Sequence, residues 1–462
     1  MLFNSLPFLY VFLPITYLVF WRLRTPRQRY VWLATTGYVF YSFWNYKFCA
    51  LLAFSTIVSY LAGRGLLRWS DPVRRRWCLV GSVVADLAVL GFFKYADFGL
   101  NTVAVLGQWA GLNTHFSPLN IVLPIGISFY TFHSISYIVD AYKGTIKPTR
   151  NFWEYATYVS LFSQLVAGPI VRFREIEDDL ERIDKTDRHT YLNRGWSFFA
   201  IGMIEKVLIA DTIAAIINPA LAHYAQLSTI DTWLCILGYT YQLYFDFCGY
   251  SDMAVGLGYL FGIRIPQNFK SPYQALNIAD FWRRWHMSLS SWLRDYLFQP
   301  LGGMFGGRWK QARNLIITMA LGGLWHGAAW TFVIWGLYHG LLMAAYGVAG
   351  RKWDRLPRPV RVFGTFALVL CGWVVFRSDT MHMATVIFTK MFVFQGGFTV
   401  AAGGSLIAVL MGAGALAHYG PNSFELKHEW GPGATLVIAV LFMLCMGAIY
   451  GAKPSPFLYF QF

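Results

Sequence analysis

Apolar runs separated by short polar connections recur from residue 2 to residue 450, and most approach the ~20 residues that a helix needs to cross a bilayer. The first, 2–20, has no basic residue before it, which fits an uncleaved first span better than a signal peptide. Runs at 78–93, 119–139, 196–217 and 233–263 follow, and 362–375, 385–393, 406–416 and 434–450 close the chain. This pattern predicts an all-α polytopic membrane protein, with some helices short, tilted or partly re-entrant. Two stretches break the rhythm. Residues 173–195, FREIEDDLERIDKTDRHTYLNRG, mix both charge signs at helical spacing and predict one or two amphipathic surface helices with a solvated face. Residues 264–313 are basic and aromatic at once. Within 278–297, Phe281, Trp282, Trp285, Leu289, Trp292, Leu293 and Tyr296 recur at three- and four-residue intervals, predicting one amphipathic helix with a tryptophan-rich face in or under the cytoplasmic interface. Gly302, Gly303, Gly306 and Gly307 then end it in a loop.

Composition moves the picture in the same direction. The 462 residues are 56% hydrophobic and 13% charged, against about 25% charged in soluble domains, and the mean hydropathy is +0.44. The net charge of +15 does not point to nucleic acid, because the basic residues sit largely in short loops, as the positive-inside rule requires. Arg22, Arg24, Arg27 and Arg29 make the first loop cytoplasmic, and Arg64, Arg68, Arg74, Arg75 and Arg76 do the same for the third. Six cysteines are scattered without a C-x-x-C pair, so neither a disulfide framework nor a metal site is expected.

Candidate chemistry concentrates in residues 315–350, where His326, Tyr338, His339 and Tyr346 are the only titratable side chains. Arg308, Lys310 and Arg313 precede this stretch and Arg351, Lys352, Arg355, Arg358 and Arg361 follow it, so both ends are expected on the cytoplasmic side. That requires a bent intramembrane element, with a short arm, a bend at Gly322, Gly323 and Gly327, and a longer arm carrying the chain back. His326 lies at this bend, in LGGLWHGAAW. It is either a packing histidine or a reaction centre, since ionisable groups inside a membrane are costly and often functional. A second histidine, His286, also follows a tryptophan, and a neutral imidazole can move a hydroxyl or thiol proton. His133, in the polar-sided 119–139 run, reads as a satisfied interior histidine. The basic residues of 264–313 either fix topology or hold a phosphorylated donor. No P-loop, G-x-S-x-G or tandem repeat is present.

Three blocks carry a resemblance: YFDFCGYSDMAVGLGYLFGIRIPQNFKSPY (244–273), FWRRWHMSLSSWLRDYLFQPLGG (281–303) and LGGLWHGAAWTFVIWGLYHG (321–340). They resemble the signature blocks of the membrane-bound O-acyltransferase family. SQLVAGPIVRF (163–173) and the opening MLFNSLPFLYVFLP are similar to its bacterial branch, which acetylates alginate and other exopolysaccharides or handles D-alanine for teichoic acids. The resemblance implies one integral membrane domain over 1–462, a ring of roughly 11–14 transmembrane or re-entrant helices around a thinned centre with a tunnel. It also implies His326 as catalytic base and His286 as the second catalytic position. Trp325 and Trp285 would line the tunnel, and Arg283, Arg284, Arg294, Tyr250 and Asn268 would serve the donor, acetyl-CoA. The acceptor side would be a periplasmic SGNH-like, serine-esterase-type acetyltransferase or another polymer-modifying protein, beside a polysaccharide synthase and membrane lipids, at the bacterial inner membrane. Teichoic-acid D-alanyl transfer is the alternative within the family. A proton-coupled transporter is the alternative outside it, against which the sparse acids of the apolar runs, Asp86, Glu205, Asp211, Asp246 and Asp252, weigh weakly.

Overall fold

A computed structural model describes residues 1–397, 403–451 and 457–458, and no strand occurs among them. Five helical stretches are long and apolar enough to cross a membrane: Pro26–Arg68, Pro72–Trp109, Trp330–Trp353, Arg358–Arg377 and Pro432–Gly451. Phe8–Arg22 and Gly404–Tyr419 are shorter apolar helices. The protein is therefore an all-α, multi-pass membrane protein. Its chain forms two compact units, Met1–Leu192 with Leu257–Pro266, and Asn193–Gly256 with Gln267–Phe462.

In the first unit, Thr25 and Gln28 form a capping box that starts helix Pro26–Asn45. A 3-10 turn, Tyr46–Phe48, joins it to Cys49–Arg68, and the Asn45 side chain accepts the Lys47 N–H at 3.0 Å. The apolar run 119–139 is helical only from Ile127, in a helix that reaches Lys143. Pro124 and Gly126 fall before this helix because Gly126 adopts φ +77°, and a Cβ there would lie 2.6 Å from the Leu165 carbonyl oxygen. Ser128, Tyr130, His133 and Ser134 of this helix are all buried in protein. The charged stretch gives helix Phe173–Glu181, with Phe173, Ile176 and Leu180 buried and Arg174, Glu175, Asp178 and Glu181 exposed. Asp179 holds Arg264 through both carboxylate oxygens at 2.6–3.0 Å, tying the returning segment to this helix.

The second unit carries the candidate chemistry. Arg308–His326 and Trp330–Trp353 form an antiparallel helical hairpin. The first arm runs without interruption through Gly322 and Gly323, so of the three glycines expected to make the bend only Gly327 lies at it. The other two serve packing: a Cβ on Gly322 would lie 3.0 Å from Leu293 Cδ1, and one on Gly323 3.1 Å from Gly336 Cα across the hairpin, where a Cβ on Gly340 would likewise lie 2.8 Å from Ile316 Cα. Small residues let helix backbones approach where lipid supplies no hydrophobic drive for association. Gly336→Val is thus expected to force the arms apart, against the Met319 carbonyl, and to cost about 1–3 kcal/mol by overpacking. A melting temperature in detergent equal to that of the wild type would contradict this.

The single helix expected over 278–297 is also corrected. The chain forms Ile278–Arg284, then Met287–Leu293, then a π-turn at Arg294–Phe298, with the break at Trp285–His286. His286 adopts φ +43° and ψ 54°, a left-handed conformation that is uncommon away from glycine. A neighbouring extended segment enforces it. The Asn268 carbonyl accepts the Met287 N–H at 2.9 Å, and the Lys270 N–H donates to the Arg284 carbonyl at 2.9 Å. As expected, Gly302, Gly303, Gly306 and Gly307 form the following loop, all at positive φ.

Candidate active site

The break in the basic segment and the end of the hairpin's first arm put two imidazoles side by side. His326 is the last residue of its helix and His286 stands at the joint between two short helices, and their ring centroids are 6.4 Å apart. Both are buried, His286 at 0% and His326 at 5% exposure. Aromatic rings wall them in. Trp325 lies 5.0 Å from the His326 ring and 6.0 Å from that of His286. Trp335 and Phe376 meet His326 edge-on at 5.2 and 5.5 Å, and Phe247 meets His286 at 4.7 Å. Such a lining excludes water, which strengthens any electrostatic interaction inside it.

The tautomer of His286 follows from its neighbours. The Ser288 N–H and hydroxyl both donate to Asn268 Oδ1, at 3.2 and 2.8 Å, which fixes that atom as the oxygen of the amide. Asn268 Nδ2 faces the Ser251 hydroxyl at 3.1 Å. His286 Nδ1, 3.1 Å from the same Oδ1, must then carry the proton, leaving the lone pair on Nε2. The strained backbone at His286 and its locked ring belong to one device: the strain aims the side chain, and Asn268 holds it there.

The remaining residues expected at the site divide. Asn268 is 1% exposed and central. Tyr250 is buried with its ring stacked on Phe457 at 4.6 Å, one residue from Ser251. Trp285 is buried one layer away from the imidazoles, against Trp373 at 4.9 Å, and Trp373 stacks on Trp335 at 5.8 Å. The arginines lie outside this interior. Arg283 is exposed, Arg284 pairs with Asp280 at 2.9 Å and Arg294 with Asp295 at 2.7 Å. Sequence reading missed Ser288, Ser251, Phe247, Trp335, Trp373 and Phe376. It also treated His339 only as a titratable group, although it is fully buried 4.9 Å from Trp335. Aromatic residues inside apolar runs carry no signal separating a site wall from ordinary core.

A family model for the membrane-bound O-acyltransferases matches residues 146–352, a span that includes both histidines. The chain is 40% identical to a probable alginate O-acetylase AlgI of Pseudomonas putida over 494 aligned residues, covering all of both chains. It is 37% identical to a peptidoglycan O-acetyltransferase of Helicobacter pylori, over 85% of this chain and 80% of that one. A teichoic acid D-alanyltransferase of Bacillus subtilis is 31% identical, over 72% of this chain and 85% of the relative. On a helical membrane fold whose buried histidine pair falls within the matched region, these similarities show that the chain belongs to the membrane-bound O-acyltransferase family and is an acyltransferase.

Proposed function

We propose that this protein transfers acetyl groups from cytoplasmic acetyl-CoA across the bacterial inner membrane for O-acetylation of an extracytoplasmic polysaccharide. The observation that carries this reading is the juxtaposition of His286 and His326, from segments forty residues apart, in one dry aromatic interior. His326 acts as general base: it takes the proton of the acceptor hydroxyl as the oxygen attacks the thioester carbonyl. The tetrahedral intermediate collapses, the C–S bond breaks, and the proton passes from the imidazolium to the departing thiolate. His286 sits beside the same carbonyl and orients it, while Trp325 shapes the space around the acyl group and Trp285 backs that wall. Arg283, with Arg284 and Arg294 nearby in the chain, offers charge to the phosphates of the donor. The names of the Pseudomonas and Helicobacter relatives support a polysaccharide acceptor, reached directly or through a periplasmic SGNH-type acetyltransferase beside the polymer synthase. A second reading, D-alanyl transfer from a carrier protein, has the Bacillus relative in its favour.

Purified protein offered isotope-labelled acetyl-CoA or a D-alanyl-charged carrier protein tests these readings. Acetyl-CoA consumption with release of free CoA, dependent on an added hydroxyl acceptor, is expected. Turnover of the carrier protein alone would replace the first reading by the second, and proton-coupled uptake by liposomes without acyl transfer would reject both.

Asn268 is a positioning residue in this scheme. Asn268→Ala removes the acceptor for His286 Nδ1–H and for two donors of Ser288. A loss of about 1–3 kcal/mol, roughly 5- to 150-fold, is expected in kcat with KM nearly unchanged. A rise in KM alone would remove the positioning role.

A further inference from the structure

The second unit contains a second buried cluster of reactive groups that the acyl-transfer reading does not use. Helix Leu192–Met203 continues as a π-helix, Ile204–Ala210, and crosses helix Thr229–Leu260 at matched glycines. A Cβ on Gly256 would lie 2.6 Å from the Gly195 carbonyl oxygen, and one on Gly249 2.6 Å from that of Gly202. This close approach brings Glu205, from the π-helix, onto Cys248 and Asp252, which are four residues apart on one face of the long helix. One carboxylate oxygen of Glu205, the Cys248 sulfur and one carboxylate oxygen of Asp252 all lie within 4.8 Å of one another. Single π-helical segments inside α-helices frequently mark functional sites.

Two further observations point to a ligand. Oε2 of Glu205 and Oδ2 of Asp252 are buried with no hydrogen-bond partner, and Asp252 is only 4% exposed. The adjacent cation does not serve them, since the Lys206 ammonium is engaged by Asp211 at 2.5 Å and Asp246 at 2.7 Å. Two carboxyl groups side by side in an apolar interior cannot both stay ionised without compensation, so a proton or a bound cation must neutralise them.

We propose that Glu205, Cys248 and Asp252 form a binding site for a zinc-type divalent transition metal. The donor set selects the ion: a thiolate favours zinc and its neighbours, whereas calcium and magnesium take oxygen ligands. Donors around a tetrahedral zinc stand about 3–4 Å apart, a contraction that small side-chain rotations supply here. Binding releases the thiol proton and any proton held by the two carboxyl groups to solvent, and leaves the metal bonded to sulfur and two oxygens, with a fourth position for water. The ion cross-links the two helices at their glycine crossing. The three donors span 48 residues, 205–252, and include a single cysteine, which is why the cysteine pattern gave no sign of a metal. This site is independent of the acyl-transfer reading.

The test uses the full chain in detergent, stripped with chelator and reloaded with Zn²⁺ or Co²⁺. About one ion per chain is expected, with a thiolate-to-cobalt charge-transfer absorption that Cys248→Ser abolishes and Cys445→Ser keeps. Asp252→Asn is expected to weaken zinc binding at least tenfold. In the wild type, where folding of a variant is not at issue, Zn²⁺ should protect Cys248 from alkylation, read by peptide mass spectrometry. Metal uptake no greater than that of an unrelated membrane protein, a charge-transfer band that survives Cys248→Ser, or alkylation of Cys248 unaffected by Zn²⁺ would each overturn the proposal.

Discussion

His326→Ala is expected to lower acyl transfer by about 10²- to 10⁴-fold, the usual contribution of a positioned general base, or about 3–5 kcal/mol of activation free energy. The loss should fall on kcat, because a base accepts its proton as the transition state forms and contributes little to holding the ground state. The substitution is mild for the fold. His326 ends a helix, alanine is a better helix former, and the ring packs edge-on against Trp325, Trp335 and Phe376 without belonging to the glycine seam of the hairpin. The check is initial rates of CoA release at saturating acetyl-CoA, beside melting curves for both proteins. A variant that melts like the wild type and keeps transfer within threefold would end the base assignment. His286→Ala should cost less, since its proposed role is orientation, and its effect should be far from additive with that of Asn268→Ala, because one hydrogen bond joins the two side chains.

How much of this was legible in the sequence depended on whether the signal was local. Apolar length and flanking charge gave the helical membrane class and placed a hairpin over 315–350, because both follow from residues next to one another. The WH pairs marked His326 and His286, and a re-entrant segment beneath the hairpin could bring them together, but no local signal required it. The joint at His286 was not legible. Periodicity over 278–297 is that of one helix, and what breaks it is Asn268, eighteen residues upstream, whose carbonyl and side chain capture the N–H groups of Met287 and Ser288. Gly322 and Gly323 misled for a related reason. A glycine that frees the backbone and a glycine that makes room for a neighbour look alike in a sequence, and only the positions of Leu293 beside Gly322 and of Gly336 beside Gly323 separate the two roles. Pro124 and Gly126 lie inside the apolar run 119–139, and hydropathy alone does not show that the chain uses them as its entry into the helix.

Lys206→Met carries the largest expected effect on stability. The ammonium is 2% exposed and bridges Asp211 at 2.5 Å and Asp246 at 2.7 Å, and Asp246 is itself 2% exposed and also accepts the Leu458 N–H at 2.9 Å. Removing the lysine leaves buried carboxylate charge uncompensated, which costs about 3–5 kcal/mol when one partner of a buried pair is deleted. Replacing both partners is a different perturbation. The double variant Lys206→Met, Asp246→Asn removes the ammonium and the more buried charge together, so it should be more stable than Lys206→Met alone, although it carries one more substitution. Thermal melts of the four proteins of this cycle in one detergent provide the measurement. A single variant within about 1 kcal/mol of the wild type, or a double variant at the sum of the two singles, would mean that Lys206 is not what neutralises this part of the helix crossing.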